Sequence, residues 1–100
     1  MTNKNVLNLI DYSEGGILSK ILFKTNKTQV TLFSMAAGTD ISEHTSSKEG
    51  YVYVLEGKGI FNLEGKEIPM ESGRIINMEK DAKHSLNAEK DTSFLLILTS

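Results

Sequence analysis

Two histidines, His44 and His84, are the residues of this 100-residue chain best suited to chemistry. The first opens the stretch HTSSKEGYVYVLEGKG, in which Ser46 and Gly50 follow at spacings where metal ligands are expected. Neutral imidazole titrates near physiological pH, so it can act as a metal ligand, a general base or a hydrogen-bonding group. The chain has no cysteine, which excludes disulfides and thiolate chemistry. No Ser-His-Asp order, glycine-rich phosphate loop or pair of catalytic carboxylates is found, so no catalytic residue is assigned.

Length and composition predict one soluble domain. A chain of 100 residues buries roughly two-thirds of the surface that it exposes when unfolded, which is enough for one core. The lysines and arginine are scattered and the net charge is -2, which does not favour nucleic acid as a partner. The longest purely apolar run, Leu95–Leu98, is too short to span a membrane, and the first ten residues lack the apolar segment of a signal peptide. We therefore expect a cytoplasmic protein with no nucleic-acid or membrane partner.

The hydrophobic pattern repeats every two residues, which predicts β-strands. In Gly50–Leu55, Val52 and Val54 point to one side and the tyrosines to the other, so both faces need to be covered. The sequence LEGK occurs at 55–58 and again at 63–66, which we interpret as tight hairpins on either side of a strand at Gly59–Leu63. Further strands are predicted at Ile17–Phe23, Gln29–Met35, Lys66–Met70, Arg74–Met78, His84–Ala88 and Ser93–Leu98. Such a count of short strands indicates a β-sandwich or barrel.

The chain contains two segments that resemble the motifs of the cupin family. The first family motif is G, five residues, H-x-H, three or four residues, E, six residues, G, and it resembles residues 38–57. The second is G, five residues, P-x-G, two residues, H, three residues, N, and it resembles residues 73–88. The matching residues are Gly38, His44 and Gly57 in the first motif and Gly73 and His84 in the second.

This resemblance implies the fold and the domain organisation. Cupins are all-β, with a double-stranded β-helix (jelly-roll) barrel of two antiparallel sheets, also called RmlC-like, and they are often dimeric. We therefore expect residues 1–100 to form a single cupin domain, with residues 1–15 as an N-terminal strand or arm. The only helical signal is a short one at Val6 to Ile10, after Asn5.

The resemblance also implies where a metal would bind. Family members that hold a metal use three histidines and one glutamate inside the barrel, and His44 and His84 match the first and third histidines. Ser46 stands at the second histidine and Gly50 at the glutamate, so two of the four ligands are missing. Catalytic zinc normally keeps three protein ligands, so we expect either no cofactor or a weakly held divalent transition metal (Zn, Fe, Mn or Ni). Glu49 can serve as a third ligand only if a bulge turns it inward.

Three functions remain open at this stage. The leading hypothesis is a small-molecule pocket anchored by the two imidazoles, in which the short side chains at Ser46 and Gly50 open volume; its lining is predicted to be His44, Ser46, Gly50, Val52, Met78 and His84. The second is a metal-dependent enzyme of the oxygenase, isomerase or lyase type with a reduced His44/His84 site. The third is a non-catalytic homodimeric interaction module with outward-facing tyrosines at its contact, in which the histidines are only buried, hydrogen-bonded residues. The sequence does not identify the ligand.

Overall fold

The structure, a computed structural model, describes residues 3–100, which form nine β-strands and one short 3-10 helix. The strands are β1 (Ile17–Lys24), β2 (Thr28–Met35), β3 (Asp40–His44), β4 (Glu49–Glu56), β5 (Gly59–Leu63), β6 (Lys66–Met70), β7 (Ile75–Met78), β8 (His84–Ala88) and β9 (Thr92–Thr99). The all-β prediction is confirmed, and every strand predicted from the sequence is present to within one residue at each end. The additional strand is β3. No helix in the described part of the chain is long and apolar enough to cross a membrane.

The strands form two antiparallel sheets that face each other. The five-stranded sheet has the order β1-β2-β9-β4-β7, and the four-stranded sheet has the order β3-β8-β5-β6. Neighbours in each sheet are mostly distant in sequence: β9 lies between β2 and β4, and β8 between β3 and β5. The chain therefore passes repeatedly from one sheet to the other, as in the predicted jelly-roll barrel.

The two LEGK segments have different structures, so one of the two predicted hairpins is wrong. The segment at 63–66 is a tight hairpin between β5 and β6, and Glu64 and Gly65 have φ of 50° and 82°, as a two-residue hairpin loop with right-handed strand twist requires. The segment at 55–58 instead crosses from β4 to β5, which belong to different sheets. Gly57 turns this corner with φ of 120°, and a Cβ there would collide with Thr92 Oγ1.

The N-terminal segment contains a helical turn and no strand within the described residues. The 3-10 helix spans Val6–Leu9, and the Asn5 side chain caps it by accepting a hydrogen bond from the Leu7 amide at 3.2 Å. Farther along, the Asp11 amide donates to Ser34 Oγ of β2 at 3.2 Å. The segment is thus an arm on the five-stranded sheet. The predicted strand or arm covers residues 1–15, and residues 1 and 2 lie outside the described part of the chain.

The core lies between the two sheets and is built largely from alternate residues of β2 and of β4 to β9. In β4 the residues Val52 and Val54 are buried, whereas Tyr53 between them is exposed. Phe33 of β2 and Phe94 of β9 stack with ring centres 5.0 Å apart. Burial of each large apolar side chain contributes about 1.5–3 kcal/mol, so these inward positions provide most of the stability of the barrel.

Candidate functional site

His44 and His84 are neighbours across the β3–β8 ladder. Their Cα atoms are register partners, and the ring centres are 4.0 Å apart with the ring planes at 62°. His84 is buried, with 6% of its surface exposed, whereas His44 is exposed. The structure therefore brings together two residues that are forty positions apart in the sequence. His44 lies at the surface and His84 behind it.

A bulge in β3 turns His44 toward the interior. Ile41 pairs with Leu86, yet His44 pairs with His84, so β3 has one residue more than β8 in this interval. In a regular strand a residue three positions after the inward Ile41 would point outward. The extra residue reverses that alternation, and the side chains of Ile41 and His44 line the same hollow.

Each imidazole has one ring nitrogen bound to a main-chain carbonyl. His44 Nδ1 lies 2.8 Å from the Ser42 oxygen, and His84 Nδ1 lies 3.0 Å from the Ala82 oxygen. A carbonyl oxygen only accepts hydrogen bonds, so in the neutral ring Nδ1 carries the hydrogen and Nε2 carries the lone pair. Burial lowers the pKa of His84 below the ordinary 6.5; the hydrogen bond to Ala82 opposes this shift, and the nearby His44 adds to it. His84 is consequently neutral at pH 7.

The two imidazoles form the polar part of an otherwise apolar hollow between the sheets. Its volume is about 30 Å³, close to the share of one water molecule in the liquid. The Phe61 ring lies parallel to the His84 ring, with centres 5.9 Å apart and planes at 3°. The lining residues are Phe33, Ile41, His44, Val52, Phe61, Met78, His84, Leu86, Phe94 and Leu96.

Four of the six predicted pocket residues line this hollow, and two do not. His44, Val52, Met78 and His84 are in the lining, whereas Ser46 and Gly50 are not. Ser46 follows the end of β3, where its hydroxyl accepts a hydrogen bond from the Lys48 amide at 3.2 Å and its carbonyl accepts one from the Asp81 amide at 2.8 Å. Because β3 ends at His44, two residues earlier, Ser46 lies in the loop that follows. These two bonds fix its position there.

Gly50 does not open volume, which corrects the prediction made from its small size. It is the register partner of Met78 on β7. A Cβ at residue 50 would lie 2.9 Å from Leu98 Cδ2 and 3.1 Å from Met78 Cε. Apolar side chains therefore occupy the space that an ordinary side chain would take. The cross-strand pairing that brings Met78 there is invisible in the local sequence.

Glu49 is not brought to the imidazoles. It lies on the face of β4 opposite to Val52, and its carboxylate accepts a hydrogen bond from Asn77 Nδ2 at 3.1 Å. The bulge that would turn it inward is absent, because the β4–β7 pairing is regular from Gly50 to Tyr53. Glu49 instead borders a surface groove that it shares with Ser47, Lys48, Lys80, Thr99 and Ser100.

The residues present do not fit the four-ligand metal centre that the motifs imply. Among residues 3–100 there is no group of three or more His, Cys, Asp or Glu side chains arranged to hold a metal ion. With Zn–N bonds of about 2.0 Å, a tetrahedral zinc bound by two imidazoles would hold the ring centres roughly 5 Å apart. The rings of His44 and His84 are closer than that, at 4.0 Å. We therefore derive no chemistry through a metal at this site.

Sequence reasoning missed the aromatic part of the lining. Phe33, Phe61 and Phe94 come from three different strands, and all three border the hollow. Each lies in a strand that was predicted correctly. The face to which each points follows from its cross-strand partners, which a single sequence does not provide.

Comparisons with known proteins agree with this fold. The family model described as "Cupin domain" matches residues 31–99. A Cupin 2 conserved barrel domain protein from Leptotrichia buccalis is 28% identical, with a TM-score of 0.90 over 97% of this chain and 47% of that one. A conserved protein of unknown function from Streptococcus pyogenes is 21% identical, with a TM-score of 0.88 over 99% of this chain and 87% of that one.

A salicylate 1,2-dioxygenase from Pseudoaminobacter salicylatoxidans, solved as adducts with gentisate, shares the fold at 16% identity. Its TM-score is 0.79, over 84% of this chain and 25% of that one. No curated protein matches the chain. The family match covers more than half of the sequence and agrees with the motifs and the two-sheet barrel. The chain belongs to the cupin family.

Proposed function

We propose that this cupin barrel binds one small molecule in the hollow, with His44 and His84 as its polar anchors. The observation that supports the proposal is the contact of the two imidazoles, 4.0 Å apart, at one wall of an apolar interior. His84 is buried, and within residues 3–100 its one hydrogen bond uses Nδ1. Nε2 is therefore available to a ligand.

The size of the hollow limits how such a ligand binds. An engineered cavity of about 150 Å³ accommodates benzene, whereas this hollow measures about 30 Å³. A ligand larger than water therefore requires side chains of the lining to move. Met78 is the side chain best suited to this, because methionine has three rotatable bonds and packs adaptably. His44 is exposed, so a ligand enters past its ring.

The metal-binding side chains near the hollow do not support the alternative of a metal-dependent enzyme. Such a site needs at least one further ligand beside His44 and His84, and Glu49 lies on the opposite face of its strand. A likeness to a dioxygenase at 16% identity supports the fold and no reaction. We therefore propose binding, with no catalytic step.

Thermal-shift measurements against small alcohols, phenols, acids and sugars test the proposal. A compound that raises the unfolding temperature of the natural protein is expected to lose this effect in His44→Ala and in His84→Phe. Asn87→Ala is the matched control, because Asn87 is exposed on β8 between inward residues and its replacement leaves the hollow unchanged. An equal shift in all four proteins would refute anchoring by the histidines.

Self-association is a second candidate function, favoured by the outer face of the five-stranded sheet. Cross-strand partners form a mainly apolar row on that face, Lys20–Leu32–Leu95–Tyr53–Ile75, in which Leu32 is buried and Leu95 is half-buried. At its β7 end Ile75 is 65% exposed, and the neighbouring Tyr53 is 38% exposed. A two-fold homodimer is the occupant that we propose, because one apolar patch on each copy forms an isologous interface.

A further inference from the structure

We infer that the ligand of this site donates an O–H or N–H group to the imidazoles. A simple phenol has this chemistry, whereas an aromatic carboxylate lacks the donor. This inference rests on the proposed function. It adds the direction of the hydrogen bond, with the ligand as donor and the imidazoles as acceptors.

The direction of the hydrogen bond follows from which ring nitrogens already bind groups of the protein. His44 Nδ1 and His84 Nδ1 each bind a main-chain carbonyl oxygen, at 2.8 and 3.0 Å. The hydrogen of each neutral ring is therefore on Nδ1, and Nε2 is an acceptor. No hydrogen bond among residues 3–100 reaches either Nε2 atom. Both of the free ring nitrogens are thus acceptors.

The hollow itself supplies no donor for these acceptors. Apart from the two histidines, every lining side chain is aliphatic, aromatic or methionine. Since the ring centres are 4.0 Å apart, one hydroxyl or N–H group can lie close to both rings. A carboxylate brings only acceptors, and it binds here only if a ring takes up a proton. Burial and the neighbouring His44 both oppose protonation of His84.

Calorimetric titration with phenol, toluene and benzoate tests the inference. Phenol is expected to bind about threefold to tenfold more tightly than toluene, the usual effect of one net hydrogen bond. Benzoate is expected to bind at least about tenfold more weakly than phenol, because its carboxylate brings only acceptors to two acceptor nitrogens. In His84→Phe, which keeps a flat ring, the preference for phenol over toluene is expected to shrink.

The possible results separate the inference from the proposed function. If benzoate binds as tightly as phenol, or toluene does, the site binds small molecules but the inferred donor is wrong. If none of the three probes binds, the proposed function fails and the inference fails with it. Long-range proton–nitrogen NMR spectra read the tautomers directly, and His44→Ala assigns the signals because the chain has two histidines. A hydrogen found on Nε2 of either ring overturns the inference whatever binds.

Discussion

Met78 occupies the space next to Gly50: its Cε atom lies 3.1 Å from the position that a Cβ of residue 50 would take. The two residues are register partners on β7 and β4. At the place where the family motif has a metal-binding glutamate, this chain therefore has apolar packing. The two imidazoles are the polar side chains of this site.

Gly50→Ala is expected to destabilise the protein through this contact. The added methyl group meets Met78 and Leu98 at 3.1 and 2.9 Å, and overpacking typically costs about 1–3 kcal/mol. The cost is expected to be smaller when Met78 is already alanine, because one of the two contacts is then removed. Urea unfolding of both single variants and the double variant measures the coupling. Gly16→Ala is the control, since a Cβ there meets nothing within 4 Å; equal costs at both glycines would contradict the packing explanation.

Protein purified without chelators is expected to contain no stoichiometric transition metal. The reason is the donor set, which provides two imidazoles in edge contact where catalytic zinc sites use three protein ligands. Elemental analysis by mass spectrometry measures the content, with His44→Ala and His84→Ala analysed in parallel. One equivalent of metal in the natural protein that is lost in both variants would overturn this expectation and restore the metal-dependent hypothesis.

The protein is expected to lose stability as the pH falls below about 6.5, partly through His84. The pKa of His84 is lowered in the folded state, chiefly by burial, so below the ordinary pKa the unfolded chain binds a proton that the folded chain resists. The free energy of unfolding then decreases with decreasing pH until the folded pKa is passed. Urea unfolding between about pH 8 and pH 5 measures this slope. In His84→Phe the part of this pH dependence that is due to His84 should disappear. If the free energy of unfolding falls equally with pH in both proteins, His84 is not its source.

At alkaline pH, Tyr12 is expected to destabilise the folded protein. Burial raises the pKa of Tyr12 from 10.0 to about 12, and Glu56, which accepts a hydrogen bond from the hydroxyl at 2.8 Å, also raises it, while Ser93 opposes the shift. The stabilising effect is complete below pH 10 and is lost as the pH rises through the folded value. Ultraviolet titration should show a tyrosine ionising near pH 12 that is absent in Tyr12→Phe. If the natural protein loses no more stability above pH 10 than Tyr12→Phe does, the expected contribution of Tyr12 is disproved.

Charge on the outer face of the five-stranded sheet is expected to prevent self-association. Tyr53→Glu and Ile75→Glu place a carboxylate in the exposed apolar patch, so a dimer formed there would bury an unpaired charge. Sedimentation velocity should detect a dimer for the natural protein and a monomer for both variants. Ile21→Glu provides the control, since Ile21 is 57% exposed and its side chain lies on the other face of β1. Dissociation by the control variant alone would place the interface elsewhere.

Much of the fold was predictable because local patterns determine it. Alternation of apolar residues located the strands to within a residue, and the resemblance to the cupin motifs implied the jelly-roll order. The β4–β5 corner was not predictable, because Leu55–Lys58 and Leu63–Lys66 have the same sequence, and only long-range pairing makes one a crossover and the other a hairpin. Local sequence therefore indicated that the chain turns, and did not indicate which sheet it enters.

The site was predictable only in part, and for a similar reason. The motif resemblance identified His44 and His84, although regular alternation from Ile41 would have pointed His44 outward. The filling of the space beside Gly50 depends on Met78, which lies on another strand. Cross-strand neighbours decide which volume is open, and they are distant in the sequence.

The bulge in β3 does more than turn the His44 side chain inward. Ser42 lies within the bulged interval, and its carbonyl is the one that His44 Nδ1 contacts. In the neutral ring this contact places the hydrogen on Nδ1 and the lone pair on Nε2. The backbone irregularity thus supplies the carbonyl that sets the tautomer of the outer imidazole.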